Sequence, residues 1–205
     1  MSVFTKTYKR WENIPEFNTV DRSMLGISGL LIILLKDYFS HNSTLFKYDQ
    51  NPIESKVLIE IQKEWNPTNC ENYPGIFIKR KSWVPRMEGR VSGDYRSLLT
   101  EDPYSYDFWV PITANYSIIV TGKVSGEVEV LLNEIFLYLT IFSEPIKTHL
   151  GFGKFDIVGV SETDILKIDK DFYSGEISLV LSFDFTWRLT LEKPKLNRIT
   201  INERV

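Results

Sequence analysis

Tyr106-Asp107-Phe108-Trp109-Val110-Pro111-Ile112-Thr113-Ala114-Asn115-Tyr116-Ser117-Ile118-Ile119-Val120-Thr121 is the most regular stretch of the 205-residue chain. Every second position from Tyr106 to Val120 is apolar or aromatic, and Asp107, Thr113, Asn115, Ser117 and Thr121 fall between them. That period of two predicts a single strand of about 16 residues, well past the usual five or six. Pro111 sits on the polar parity and has no N–H for a ladder, which predicts an edge or a bulge there. A second run of the same kind closes the chain: Ile177, Leu179, Leu181, Phe183, Phe185, Trp187, Leu189 and Leu191 alternate with mostly polar residues. Such strands reach about 50 Å at about 3.3 Å per residue. A compact domain of this length is only about 40–45 Å across. Part of the pair is therefore expected to project as a ribbon that needs a neighbour to cover its apolar face.

Between and before these strands the period changes. Met24–Leu35 is free of charge and bracketed by Asp21, Arg22, Lys36 and Asp37. As a helix it spans about 18 Å, too short for a bilayer core of about 30 Å, so it reads as a buried core helix. Asn18 or Thr19 is the expected cap of a helix running to about Phe39. Val57–Trp65 and Ile76–Val84 alternate as strands around the turn residues Asn66-Pro67-Thr68-Asn69, which predicts a hairpin. Residues 85–103 have no period and read as a long loop. Ser125 is the expected cap of a second helix with Glu127 and Glu129 in its first turn, and Pro145 is expected to end or kink it. Phe155–Val160 is a short strand. The predicted fold is α+β: a mainly antiparallel sheet with two helices packed on one face. Residues 1–18 read as an N-terminal arm, 19–191 as one domain and 192–205 as a C-terminal tail.

Composition narrows the function. The chain is 43% apolar, 14% aromatic and 25% charged, with a formal net charge of -3, which does not suit a general nucleic-acid binder. Two histidines, His41 and His149, and a single cysteine, Cys70, leave little for a zinc site, a disulfide framework or a catalytic thiol. Neither histidine has a carboxylate or cysteine at ligand spacing. Asp164, Asp169 and Asp171 lack calcium-site spacing, and Gly122–Gly126 and Gly151–Gly153 lack phosphate-loop spacing. No cofactor, metal or catalytic residue is expected, and no secretory signal or membrane span is read.

Two surfaces remain. The second helix is apolar nearly all round: Val128, Leu131, Leu132, Ile135, Leu139 and Phe142 form its main stripe, and Val130, Phe136, Leu137, Tyr138 and Ile141 fall off it. Either the first helix covers that extra apolar surface or another subunit does; these five residues and Trp109 are the candidate subunit interface. From Lys79 to Arg96, six basic residues (Lys79, Arg80, Lys81, Arg86, Arg90, Arg96) stand against Glu88 and Asp94, a local +4 that leaves -7 elsewhere. They form either a solvated loop or a docking surface for an acidic partner or a DNA backbone.

The strings Tyr73-Pro74-Gly75-Ile76-Phe77-Ile78-Lys79-Arg80, Trp83-Val84-Pro85-Arg86, Gly93-Asp94-Tyr95-Arg96-Ser97-Leu98-Leu99-Thr100-Glu101, Val110-Pro111-Ile112, the Ser125–Phe142 helix and Phe185-Thr186-Trp187-Arg188-Leu189 carry a resemblance over roughly residues 50–191. In them the chain resembles the tail-terminator (tail-completion) proteins of long-tailed bacteriophages. The resemblance implies a structural virion protein made in the host cytoplasm: a homo-oligomeric, hexameric ring at the tail–neck junction, with no enzymatic activity. Its implied partners are the tail tube protein, a head-completion or neck protein and, in a contractile tail, the sheath, with DNA passing through the channel without sequence-specific binding. The basic run would then contact tube, neck or channel. The alternatives are another neck component (a stopper or adaptor ring) or, more distantly, a small phage enzyme such as a nuclease.

Overall fold

The computed structural model describes residues 23–43, 45–61, 74–85, 98–99, 105–166, 169, 171–191 and 199–202. Helix α1 (Met24–His41) leads to strand β1 (Leu58–Ile61), β2 (Gly75–Pro85), β3 (Leu98–Leu99) and the long β4 (Ser105–Gly122). Helices α2 (Ser125–Ile141) and α3 (Ser143–Leu150) follow, then β5 (Lys154–Val160), β6 (Asp164–Ile165), the long β7 (Tyr173–Leu191) and β8 (Ile199–Asn202). All eight strands of the described residues form one sheet in the order β1-β2-β4-β7-β5, with β3 beside β4 and both β6 and β8 beside β7. The α+β class with a mainly antiparallel sheet is as the sequence predicts. A third helix, three short strands and several boundaries differ.

Burial follows the predicted parity. Ile112, Ala114, Tyr116, Ile118 and Val120 of β4 lie across from Phe183, Leu181, Leu179, Ile177 and Gly175 of β7, and the side chains of this row are buried on one sheet face. α1 packs over β1 and β2, α2 over β4 and β7, and α3 against β5, which closes the core beneath Leu31, Leu34, Leu131, Ile135 and Ile146. Gly75 pairs with Thr121, and the next residue, Gly122, lies close against Val128 of α2 and Pro74.

The caps correct two expectations. α1 starts at Ser23, whose hydroxyl accepts a hydrogen bond from the Gly26 N–H at 3.0 Å, rather than at Asn18 or Thr19. This satisfies one of the N–H groups that a helix start leaves unpaired. Ser23→Ala is expected to lower stability by about 1 kcal/mol in a urea melt. α2 begins with Ser125 already helical; Val124 precedes it without a side-chain cap bond. The chain leaves α2 at Phe142, three residues before Pro145, which sits in the first turn of α3 where its missing N–H costs nothing. α3 ends at Gly151, whose left-handed φ of 63° closes the helix and turns the chain into β5.

The expected hairpin is a parallel pair. β1 runs beside β2 in the same direction, with Leu58 opposite Gly75 and Ile61 opposite Ile78. Alternation reports which face a residue occupies and carries no information on strand direction, so the turn-like composition of 66–69 suggested the wrong connection. That turn lies outside the described residues, as do Trp65, Cys70, residues 1–18 and most of the 85–103 loop. Leu98–Leu99 of that loop and Ile199–Asn202 of the expected tail join the sheet as strands.

β4 and β7 pair without a register shift from Ser105↔Thr190 to Gly122↔Tyr173. Their flanking partners stop earlier, β2 opposite Ile112 and β5 opposite Ser182. Past that point β4 and β7 continue together, and among the described residues only short β3 (opposite Tyr106 and Asp107) and β8 (opposite Arg188 to Leu191) lie beside them. Pro111 marks the change. The Gly153 N–H donates to the Ser182 carbonyl at 2.7 Å, so Ser182 turns its backbone groups away from β4. Alternation then aims those of Phe183 at β4 and those of Pro111 toward the β2 side, one place past the end of β2. Among the described residues the missing N–H falls at an edge, as predicted.

Candidate functional site

The off-stripe residues of α2 separate into two groups. Val130, Leu137 and Ile141 are 48%, 47% and 55% exposed and stand in one row, seven and four residues apart. Phe136 is half-buried against the core. Tyr138 does not belong with them: only 2% exposed, its ring stacks on Tyr38 of α1 at 4.1 Å between centroids. Beside that stack the Tyr38 hydroxyl donates to Glu134 at 3.2 Å. So α1 takes Tyr138 out of the candidate interface, while Val130, Leu137 and Ile141, in one row with Glu134, stay exposed. Trp109 is placed by its backbone in β4, opposite Thr186.

Of the six basic residues, Lys79, Arg80 and Lys81 are described, all exposed, and Arg86, Arg90 and Arg96 lie outside the described residues. The three sit on β2 just past Ile78, where β1 ends, so among the described residues they occupy a free flank of the strand. The register shifts between Arg80 and Ser82, leaving Lys81 on a bulge. Lysines and a bulge also protect an open edge against stray strand pairing.

Lys81 has a partner that the sequence did not announce. Its ammonium donates to Glu176 of β7, two strands away, across Ser117 of β4. Ser117 and Ser178 hydroxyls donate to the same carboxylate oxygen at 2.8 and 3.0 Å. Burial pushes the Glu176 carboxyl up, and the bonds from Lys81, Ser117 and Ser178 with the Lys81 charge outweigh it, so its pKa lies below the ordinary glutamate range. A group shifted down in the folded state adds stability above its unfolded pKa and loses it as pH falls through the folded one. Glu176→Gln is therefore expected to weaken the fold at neutral pH and to match the wild type once acid protonates Glu176, read from denaturant midpoints across pH. The signal was Glu176 on the polar parity of one long strand, but only the register with β4 and β2 reveals its neighbours.

On the helical face, Tyr116 is fully buried and its hydroxyl accepts from Trp83 Nε1 at 3.2 Å. Burial pushes its pKa up, against hydrogen bonds from Ser28 and Trp83 and the charge of Arg80. Trp83 in turn meets Phe183 edge-on at 5.1 Å. A cleft of about 340 Å3 opens near the point where β4 and β7 pass the ends of β2 and β5, between Lys147 and Gly151 of the α3 end and Ser182 and Asp184 of β7. Lys147 is already paired with Glu144 at 3.3 Å. His41 has a carboxylate after all, Asp37 one turn earlier at 3.5 Å, on the exposed end of α1. Among the described residues no three His, Cys, Asp or Glu side chains gather to hold a metal ion, and no helix is long and apolar enough to cross a membrane.

No family model and no curated protein matches the chain.

Proposed function

We propose that the chain is a ring-forming tail terminator, which caps a phage tail tube and joins it to the neck. The observation that carries this reading is the β4–β7 pair, in register over its whole length and continuing past the ends of β2 and β5. A long pair outside the body gains stability from a neighbour that covers it, and repeated copies closing head to tail into a ring supply one. The exposed row Val130, Leu137 and Ile141 supports the same reading, since an apolar row on a helix surface is stabilised when a neighbour removes it from water. The sequence strings resembling tail terminators choose among ring-forming proteins.

The test is deletion of the coding sequence from the phage that encodes the chain. Unjoined, DNA-filled heads and tails of uncontrolled length are expected in electron micrographs, together with a six-fold density at the tail–neck junction of the undeleted virion. Normal virions after deletion overturn the reading. Twelve-fold density against the portal gives the chain to a stopper or adaptor ring instead.

A further inference from the structure

Resting on the ring reading, we infer that the first eleven residues of one copy add as a strand to the free edge of β5 on the next copy. β5 ends the sheet, and it is the longer of its two outer strands, with seven residues against four in β1. Lys154, Asp156 and Gly159 lie opposite Ser182, Val180 and Ser178, the residues of β7 whose backbone groups turn toward β5. Alternation then turns the N–H and C=O groups of Phe155, Ile157 and Val160 outward, where none of them has a partner among the described residues. Apolar side chains accompany them: Val158, Val160 and, on β6, Ile165 are exposed. Such an edge is a template for another strand. The bulge between Ile157 and Gly159 interrupts it at one point.

The N-terminal arm has the chemistry to fill it. Val3, Phe4, Thr5, Thr7, Tyr8 and Trp11 favour extended backbone, and no Gly or Pro occurs before Pro15. Charge matches as well. The arm carries Lys6, Lys9 and Arg10 and no acidic residue up to Trp11. Along residues 154–165 the only basic residue, Lys154, is already paired with Asp156 at 2.9 Å, and exposed Glu162 and Asp164 follow. Reach and direction select the neighbour. The arm joins the described structure at Ser23, the start of α1, and α1 packs over β1 and β2 at the far side of the sheet from β5. Residues 12–22 span about 36 Å when extended, enough to leave that side and meet an adjoining edge. An arm that departs on one side and an acceptor on the other make a heterologous contact, the kind that closes rings. Pairing adds main-chain hydrogen bonds along the edge and covers its valines.

The test compares the full-length chain with a variant lacking residues 1–11 and with Val160→Pro. Proline at 160 removes an outward N–H and leaves the ladder to β7 intact. Assembly is followed by analytical ultracentrifugation of the purified chain, with and without isolated tail tubes, and circular dichroism melts confirm folding. The arm deletion removes no described residue, so it carries the test if Val160→Pro fails to fold. Each variant is expected to assemble at least about tenfold more weakly than the wild type, and the two changes together no more weakly than either alone. A photoreactive phenylalanine analogue in place of Phe4, in a chain mixed with a heavy-isotope-labelled copy, is expected to cross-link to residues 154–165 of the other copy, read by mass spectrometry. Variants that assemble like the wild type, or cross-links confined to the same chain or to other segments, overturn this pairing and leave the ring reading standing. A wild type that forms no ring in either condition overturns the ring reading and this pairing with it.

Discussion

Replacing Tyr116 by alanine is expected to cost about 4 kcal/mol of folding stability, a fall of roughly 8–16 °C in melting temperature for a chain of this size. Tyr116 is the largest fully buried side chain among the described residues and lies midway along β4, beneath α1. Truncation removes a ring from a close-packed interior and leaves a cavity that a sheet, pinned on both sides by β2 and β7, relaxes into only partly. It also strips the Trp83 indole N–H of its acceptor and Ser28 of its partner. Tyr116→Phe separates the two effects. It keeps the ring and loses only the polar contacts, so it is expected to cost about 1–2 kcal/mol. A phenylalanine variant as unstable as the alanine one would show that the hydrogen bonds, and not the volume, dominate this site.

Gly175→Val comes next, at about 3 kcal/mol. Gly175 lies opposite Val120 on the helical face of β7, and α2 descends onto the gap it leaves. A Cβ there would stand 2.3 Å from Leu132 Cδ1 and 3.6 Å from Thr163 Oγ1. Alanine needs only the Leu132 tip to turn aside and is expected to cost about 1 kcal/mol. Valine adds two branches that the same rotation does not clear, so α2 must lift from the sheet. Chemical denaturation of the two variants gives the difference. Equal costs would mean that α2 rides higher over β7 than the Leu132 contact implies.

The long strands were legible because burial on one face writes itself into alternate residues: Ile112, Ala114, Tyr116, Ile118 and Val120 of β4 are buried on the predicted parity, while buried Ser117 and Thr121 on the other parity were not foreseen. β1 and β2 were legible as strands and misread as a hairpin, since periodicity fixes faces and leaves direction to long-range pairing. The caps at Ser23 and Val124 were missed because several residues near a helix start have the chemistry of a cap and tertiary packing selects among them. The candidate site divides in the same way. The exposed row of α2 follows from helix geometry, but Tyr138 needed the position of α1 to be placed inside. Lys81 and Glu176 are 95 residues apart, and only the assembled sheet makes them partners.

The register of β4 on β7 also dictates how the chain has to find its fold. The pair joins residues 51 apart in sequence at Gly122↔Tyr173, and every further rung joins residues farther apart, up to 85 at Ser105↔Thr190. Joining ends that far apart carries an entropy cost that each new contact must overcome. The least demanding route starts at the Gly122 end, with α2, α3 and β5 already formed inside the loop, and zips outward toward Ser105. The Ser105 end, past the last rungs of β2 and β5, would then be the last part of the pair to form and the first to open, so its amide hydrogens exchange before those at the Gly122 end.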